Sequence, residues 1–318
     1  MGRLVTVVLV TWNGAPFLRR CLEGVAQQSH GELELIAVDN ASGDGSADLV
    51  AQLAPAARVI RNDTNRGFAA AVNQAVAAAR GEIVVFLNPD AFLDRHYIAK
   101  AIAALDDAGE TFGSATGRLL RATGSEIAPT RFIDSKGIRM TRSGRHFDID
   151  QGAPDDGDRG THEVFGASGA AAVHRKSFLD SVGPLDEDFF AFREDADLAW
   201  RGRLFGWRAI YAGDAVAYHV RRVTPERRHE LPAFVNMHSV KNRFLLRLKN
   251  EGAWLALRNA PFELTRDLVT ILAVLTVERS SLPALAWLWK NRRSIMAKRR
   301  EIQRRRRVSD RELARWFR

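Results

Sequence analysis

Four short runs rich in β-branched residues alternate with helical patterns over the first hundred residues. The runs lie at 4–11, 33–39, 58–61 and 82–87, and apolar residues recur at three- and four-residue spacing from Phe17 to Val25 and again over 67–79. Runs of this kind are buried in parallel sheets, and helices between them supply right-handed crossovers. The alternation therefore predicts an α/β fold whose open, mostly parallel sheet is flanked by helices.

Polar residues follow each of the four predicted strands. They are Thr11-Trp12-Asn13, Asp39-Asn40-Ala41-Ser42, Asn62-Asp63 and Asn88-Pro89-Asp90. Turns use the same residue types, so an ordinary turn also explains any one of these segments. Ligands of open parallel sheets bind beyond the carboxyl ends of the strands, and four polar ends on one edge favour a shared binding site.

The remainder of the chain shows a weaker pattern. Residues 121–158 are rich in Gly, Asp, Arg and Ser, which predicts a long functional or mobile loop with one hairpin around residues 132–147. A helix is predicted at 196–205 and a strand at 208–218. Asp197 and Arg201 are expected to form an ordinary i,i+4 ion pair on that helix. Trp200 and Trp207 are expected in the core.

The net charge of +9 belongs to the end of the chain. Residues 290–307 hold ten Lys or Arg and one acid, Glu301, and ten minus one is +9, so the other residues sum to zero. Trp287 and Trp289 precede this basic run, and the apolar run at 268–277 is shorter than the roughly 20 residues of a spanning helix. We expect a helix lying on an anionic membrane surface, and a helical tail packed on the body is the alternative.

Several functional classes are disfavoured. The sequence contains no Gly-x-Gly-x-x-Gly after the first strand, no Walker lysine loop and no Cys/His zinc spacing, which argues against a dinucleotide-dependent dehydrogenase and a P-loop ATPase. Nucleic-acid binding is disfavoured because no reader motif accompanies the basic run. The single cysteine, Cys21, is expected to be a buried small hydrophobe, and its isolation is compatible with a reducing cytoplasm.

Further motifs occur in a defined order along the chain. They are Asn65-Arg66-Gly67-Phe68, Phe165-Gly166-Ala167, Gly183-Pro184-Leu185-Asp186-Glu187, Glu194-Asp195-Ala196-Asp197-Leu198 and His219. With the polar strand ends, this set resembles the inverting glycosyltransferases of family 2, in particular the rhamnosyltransferase-like branch, over roughly residues 4–220. The resemblance implies a Rossmann-like GT-A fold with a nucleotide-sugar-binding half at 1–110. It also implies an acceptor-binding and catalytic half at 111–248 that includes the loop 121–160. Residues 249–318 follow as a helical, membrane-docking region.

The resemblance also implies roles for individual residues. A sugar-nucleotide donor is expected to contact Thr11, Asn13, Asp39, Asn40, Arg66, Gly67, Asn88 and Asp90, with Asp39 accepting hydrogen bonds from the base or ribose. Asp90 and His219 match the family's ligands for Mg²⁺ or Mn²⁺, which neutralises charge that develops on the leaving diphosphate. Asn88 stands where the family usually has an aspartate. Phe165, Gly166 and Ala167 match the segment that faces the acceptor.

Asp195 matches the family's general base, with Glu194 beside it. Adjacent carboxylates raise one another's pKa, which suits a general base, although acids also favour helix N-termini for structural reasons. The implied activity is transfer of a sugar, with L-rhamnose from dTDP-L-rhamnose the first choice, to a lipid-linked or polysaccharide acceptor in cell-envelope glycan synthesis. The expected location is the cytoplasmic face of the cell membrane, with peripheral attachment. Alternatives are galactosyl, galactofuranosyl or N-acetylglucosaminyl transfer from UDP donors, and a non-catalytic sugar-nucleotide-binding protein.

Overall fold

The computed structural model describes residues 3–221 and 232–318. The strands are β1 (Val5–Thr11), β2 (Leu33–Asp39), β3 (Arg58–Arg61), β4 (Ile83–Leu87), β5 (Ala91–Leu93), β6 (Phe112–Thr123), β7 (Ala128–Ser135), β8 (Ile138–Met140), β9 (His146–Asp148), β10 (Thr161–Val164), β11 (Ala171–Arg175) and β12 (Arg208–His219). The helices are α1 (Ala15–Ala26), α2 (Ser46–Leu53), α3 (Phe68–Ala78), α4 (Tyr97–Ala108), α5 (Lys176–Val182), α6 (Glu194–Leu204), α7 (Ala233–Asn250), α8 (Ala253–Thr276), α9 (Leu282–Lys290), α10 (Arg292–Arg305) and α11 (Asp310–Leu313).

A ten-stranded sheet forms the centre of the protein. Its main path is β10-β12-β6-β11-β4-β1-β2-β3, with β5 added beside β12 and β7 beside β6. Strands β4, β1, β2 and β3 are parallel, β11 is antiparallel to both of its neighbours, and β12 runs parallel to β6. The predicted α/β fold with a mostly parallel sheet is confirmed. One continuous sheet joins the two predicted halves on either side of residue 110.

Helices cover both faces of the sheet, which explains the unbroken apolar strands. All seven residues of β1 are buried. Val8 and Val10 point into a core shared with α3, α5 and α6, whereas Val7 and Leu9 point into a second core shared with α1 and α4. A strand that is buried on both faces needs apolar side chains at successive positions, as the sequence of β1 shows.

The predicted long loop at 121–160 is largely ordered structure. Strand β6 extends to Thr123 and pairs with β7, and β8 pairs with β9 in a separate hairpin. The prediction placed one hairpin in this stretch and missed β7 as a strand of the main sheet. The buried residues Ile127, Ile133 and Ile138 are spaced too widely along the chain to show the alternation of a strand.

The C-terminal helices pack on the rest of the protein. Ile295 and Ile302 of α10 and Phe317 near the end of the chain belong to the main core. Among the described residues, no single helix has the length and hydropathy needed to span a membrane; α8 and the segment Arg279–Lys290 meet those requirements jointly, across a bend of 108°. The basic run is therefore part of a packed helix, which was the alternative expectation for this region.

Candidate active site

Two buried side chains end neighbouring strands at the carboxyl edge of the sheet. Thr11 and Asp39 are register partners at the ends of β1 and β2. The Thr11 hydroxyl and Oδ1 of Asp39 are buried without a hydrogen-bond partner, whereas Oδ2 of Asp39 accepts from the Ser42 N–H at 3.1 Å. Buried polar atoms are normally paired, so these two atoms indicate a polar ligand at this position.

The neighbouring predicted residues hold the loops around this position. Asn13 links the first two loops, because its N–H donates to Ser42 Oγ and its Oδ1 accepts from the Gly43 N–H, both at 2.9 Å. The side-chain amide of Asn40 links the second loop to the third. Its nitrogen donates to Oδ1 of Asn65 at 2.8 Å, and its oxygen accepts from the Arg66 N–H at 3.0 Å. Both asparagines therefore shape the pocket through the backbone.

Arg66 and Gly67 lie in different surroundings: the first is exposed and the second is packed against another loop. Gly67 has φ +86°, and a Cβ there would lie 2.6 Å from the carbonyl oxygen of Phe190. The absence of a side chain at Gly67 thus accommodates Phe190 of the protein's own chain, and the contact of Gly67 with a donor stays a prediction.

Asp90 and His219 meet where β5 pairs with β12. Nε2 of His219 lies 3.3 Å from Oδ1 of Asp90, and Nδ1 lies 2.8 Å from Oδ2 of the fully buried Asp134. Burial opposes the charge on the imidazole, but Asp134 and Asp90 outweigh it and raise the pKa of His219 to about 10. The structure therefore brings the predicted pair together and adds a carboxylate that fixes the orientation of the ring.

Arg221 extends this network toward the hairpin of β8 and β9. Its Nε lies 2.7 Å from Oδ1 of Asp134, and its Nη2 lies 2.7 Å from Oδ2 of Asp148. The Asp148 and Asp134 carboxylates raise the pKa of Arg221 against the opposing effect of burial. The guanidinium thus joins the His219 cluster to β9.

Glu194 and Asp195 lie in the first turn of α6. Glu194 is 8% exposed and its Oε2 has no hydrogen-bond partner. Asp195 is half-buried, and its Oδ2 accepts from the Gly169 N–H at 3.1 Å. Burial raises the pKa of both carboxyls, and Asp148 adds to the effect on Asp195 while Arg221 opposes it. Asp195 therefore lies within electrostatic range of the Arg221 network.

The segment before β11 connects Asp195 to the donor side of the cleft. The Gly169 N–H donates to Asp195, and the next residue, Ala170, accepts from the Asn88 N–H at 3.0 Å. Asn88 precedes Asp90 by two residues on the loop that follows β4. One short backbone segment thus separates the predicted base from the predicted metal-binding loop.

The predicted acceptor segment lies behind the base. Phe165 is 1% exposed and packs edge-on against Trp200, and Gly166 is small because a Cβ there would lie 2.3 Å from the Cβ of Ala199. Ala167 is 5% exposed. These three residues pack against the core and α6, and they line one pocket together with Gly169 and Asp195. Gly169 lies against the base, since a Cβ there would be 3.3 Å from Oδ2 of Asp195. The acceptor role of residues 165–167 stays a prediction.

A strained loop precedes α6 and positions Asp195. Phe190, Phe192 and Arg193 have φ of 65°, 70° and 72°, a region that non-glycine residues rarely occupy. Nδ2 of the buried Asn242 on α7 lies 2.9, 2.7 and 2.8 Å from three carbonyl oxygens of this loop, at residues 189, 191 and 192. A single amide therefore holds the loop in its unusual conformation.

Sequence reasoning missed Asp134, Asp148, Arg221 and Asn242. The two aspartates fall in the stretch interpreted as a loop, and Asn242 lies in a helix that the motifs do not reach. Arg221 could have been found from sequence. It follows His219 by two residues, and residues two apart in extended backbone lie on the same face. The expected pair of Asp197 and Arg201 is confirmed at 2.8 Å, and Trp200 and Cys21 are in the core, as expected.

Two donor atoms at this site suit a divalent cation. Among residues 3–221 and 232–318, no group of three or more His, Cys, Asp and Glu is arranged to hold a metal by itself. The Asp90 carboxylate and the His219 Nε2 nevertheless converge, and Asp134 on Nδ1 is the carboxylate partner that metal-binding histidines commonly have. A cation that keeps waters and phosphate oxygens as further ligands fits this set.

Comparison with known proteins places the chain in a family. The profile of glycosyl transferase family 2 matches residues 6–179, more than half of the chain. An N-acetylglucosaminyl-diphospho-decaprenol L-rhamnosyltransferase of Mycobacterium tuberculosis is 27% identical over 244 residues, which are 69% of this chain and 76% of that protein. A PGL/p-HBAD biosynthesis glycosyltransferase of Mycobacterium bovis is 33% identical over 103 residues, or 31% of this chain and 39% of that protein.

A solved structure supports the same assignment at the level of fold. The mannosyltransferase PcManGT from Pyrobaculum calidifontis, in complex with GDP-Man and Mn²⁺, has a TM-score of 0.56 and 21% identity, and the match covers 96% of this chain and 85% of that chain. The GT-A fold expected from the sequence is thereby confirmed. On the evidence of its profile match and its fold, the chain belongs to glycosyl transferase family 2 and is a glycosyltransferase.

Proposed function

We propose that the protein transfers a sugar from a nucleotide donor to a lipid-linked acceptor with inversion, and that Asp195 is the general base. The position of Asp195 carries the proposal: it is half-buried, hydrogen-bonded to Gly169, and separated by one backbone segment from the loop of Asp90. In a single displacement, the base removes the acceptor hydroxyl proton as the oxygen attacks the anomeric carbon. A carboxylate with a raised pKa is matched to that step.

The donor occupies the carboxyl edge of the sheet in this proposal. The unpartnered atoms of Thr11 and Asp39 supply polar contacts for the nucleoside, at the ends of β1 and β2. Asp90 and His219 would hold Mg²⁺ or Mn²⁺, which would supply positive charge for the leaving diphosphate. Asp134 keeps His219 in position through its contact with Nδ1 at 2.8 Å, and Arg221 in turn holds Asp134 at 2.7 Å.

We propose L-rhamnose from dTDP-L-rhamnose as the donor and a diphospholipid-linked sugar as the acceptor, in the synthesis of a cell-envelope glycan. The support is the relative from Mycobacterium tuberculosis, whose name states L-rhamnose transfer to N-acetylglucosaminyl-diphospho-decaprenol. UDP-linked galactose, galactofuranose or N-acetylglucosamine is the alternative donor set. Incubating the protein with each nucleotide sugar, Mg²⁺ or Mn²⁺ and the lipid-linked sugar tests the choice. Transfer from a UDP donor and none from dTDP-L-rhamnose would contradict it.

We further propose that the protein binds the cytoplasmic face of the membrane through α8. The outward side of this helix is an apolar stripe without a charged residue, formed by Trp254, Leu257, Pro261, Leu264, Leu268, Leu272 and Leu275. Leu257, Leu264 and Leu268 are 77%, 68% and 59% exposed. The inward side is mixed: Leu255 and Val274 are buried beside Asn259 and Glu263, and Glu263 is paired to Arg247 of α7 at 3.0 Å. A helix whose charged residues face the protein and whose outward side is apolar suits a lipid surface.

The charge around the stripe favours anionic lipid as its partner. Exposed cations at Arg279, Lys290, Arg292 and Arg293 follow the stripe, and within 253–300 the three acids are either buried or hydrogen-bonded to neighbours. Stacking two copies through this face would bring these cations together, whereas anionic headgroups complement them. Vesicle flotation tests this surface: Leu268→Glu should reduce binding strongly, whereas Phe132→Glu, at an exposed apolar site on β7, should not. Equal binding by the Leu268 variant would contradict it.

A further inference from the structure

Three arginines from three different elements lie close enough to affect one another's pKa. Arg145 lies in the β8–β9 hairpin, Arg243 is on α7 and Arg266 is on α8. We call these three residues the arginine cluster. Arg193, which precedes α6, is coupled electrostatically to Arg243. Nη1 of Arg193 lies 3.0 Å from Nδ1 of His146, which ties the hairpin to the start of α6.

Among residues 3–221 and 232–318, the charge of Arg243 is only weakly compensated. The nearest carboxylate oxygen of Asp267 is 3.9 Å from Nε of Arg243, beyond hydrogen-bond distance, and Asp267 itself is bound to Arg247. Burial, together with Arg266 and Arg193, lowers the pKa of Arg243 to about 9. Arg266 likewise lowers the pKa of Arg145, in addition to the effect of burial. Mutual repulsion of this kind is relieved by a bound anion.

The arginine cluster also contains buried N–H groups without a hydrogen-bond partner, which is a further property expected of an anion-binding site. Arg243 is 6% exposed, and its Nε and Nη2 are buried without a hydrogen-bond partner. Nε of Arg266 is also buried and unpartnered. A buried N–H that lacks an acceptor is costly, and planar guanidinium groups match phosphate oxygens in pairs.

The arginine cluster is linked to both the proposed lipid surface and the base. Arg266 is on α8, the helix that carries the apolar stripe, and Arg193 is two residues before Asp195. These links therefore run from the apolar stripe through the arginines to the carboxylate, because Arg243 is coupled electrostatically to both Arg266 and Arg193. In an acceptor of the proposed class the order is lipid, phosphate, sugar, so the two sequences of chemical groups correspond.

We propose that the arginine cluster binds the phosphate or diphosphate that joins the acceptor sugar to its lipid. This inference rests on the proposed use of a phospholipid-linked acceptor. It assigns recognition of the acceptor's charged linkage to Arg243 and Arg266, apart from the Asp90 and His219 site for the donor diphosphate. The cluster then selects acceptors by their phosphate, whereas Asp195 acts on the sugar hydroxyl.

Kinetics with two acceptors test this assignment. Arg243→Gln should raise the KM for the diphospholipid-linked sugar by about tenfold to a hundredfold and leave the donor Kd unchanged. With an alkyl glycoside of the same sugar, which lacks phosphate, the variant and the wild type should have equal kcat/KM. Arg19→Gln, at an exposed site on α1, is the control for loss of one positive charge. An equal loss on both acceptors, or no loss on either, would overturn the inference.

A binding measurement separates this inference from the proposed function. Inorganic pyrophosphate, titrated calorimetrically in EDTA so that the metal site stays empty, should bind the wild type and raise its melting temperature. Arg243→Gln and Arg266→Gln should weaken that binding at least tenfold. Arg266 is half-exposed, so its variant remains informative if the Arg243 variant misfolds. Unchanged pyrophosphate affinity in both variants would refute the cluster even if transfer occurs. Absence of transfer by the wild type would refute the proposed function alone.

Discussion

A buried lysine fastens α7 to the catalytic helix, and its removal should destabilise the protein measurably. Lys249 is 1% exposed, its Nζ lies 2.9 Å from Oδ1 of the fully buried Asp197, and it also pairs with Asp186. Removing one partner of a buried ion pair typically costs about 3–5 kcal/mol. Each carboxylate keeps another cation, since Asp197 retains Arg201 at 2.8 Å and Asp186 retains Lys298. Because both carboxylates keep a cation, we expect Lys249→Met to lower the free energy of unfolding by about 3 kcal/mol, at the lower end of that range.

Urea unfolding followed by circular dichroism measures this loss. Lys290→Met removes the same charge from an exposed site on α9 and should stay within about 0.5 kcal/mol of the wild type. The double variant with Asp197→Asn should lose less than the sum of the two single losses, because the two side chains interact directly. A loss below about 1 kcal/mol for Lys249→Met, or simple additivity in the double variant, would refute the reasoning.

Three further substitutions test the cleft. Gly67→Ala should destabilise the protein by about 1–3 kcal/mol in urea unfolding, because a Cβ at φ +86° would collide with the chain at residue 190. Asn242→Leu should lower kcat while nucleotide binding, measured by calorimetry, is retained, because the loop before α6 loses its amide contacts. Asp148→Asn should move the acidic limb of the kcat/KM profile to lower pH. The carboxylate of Asp148 raises the pKa of Asp195, and the base must be deprotonated to act.

Each of these predictions has an outcome that contradicts it. Gly43 has no atom within 4 Å of its hypothetical Cβ, so Gly43→Ala is the matched control for Gly67→Ala. An equal loss in the free energy of unfolding for the two variants would contradict the steric explanation. An Asn242 variant with wild-type kcat would show that the loop keeps its shape without the amide. A shift of the acidic limb to higher pH in the Asp148 variant would reverse the sign that the structure assigns.

The polar strand ends were predictable from sequence because they follow directly from local pattern. Thr11 and Asp39 end buried strands, and the parallel pairing of β1 with β2 puts them side by side, as the α/β pattern requires. Asp90 and His219 are far apart in the chain, and only the family resemblance predicted that they lie close together in the fold. The antiparallel pairing of β5 with β12 then explains it physically.

The supporting residues were not predictable in the same way. Asp134 and Asp148 become site residues only because β7 joins the sheet and β9 folds back toward Arg221, and neither strand has a clear apolar period. The role of the basic run also required tertiary structure. Lys298 of that run pairs with Asp186 and Asp188 of the body, so part of its charge stabilises the fold, and the apolar side of α8 becomes the proposed membrane surface.

The role of Asp195 is the central claim, and its isosteric substitution tests it most directly. Asp195→Asn preserves the volume of the side chain and removes its ability to accept a proton. Single-turnover transfer from the bound nucleotide sugar should fall by about 10²–10⁴-fold, while donor and acceptor affinities, measured by calorimetry, stay within a few-fold of the wild type. Transfer at the wild-type rate by this variant would contradict the account.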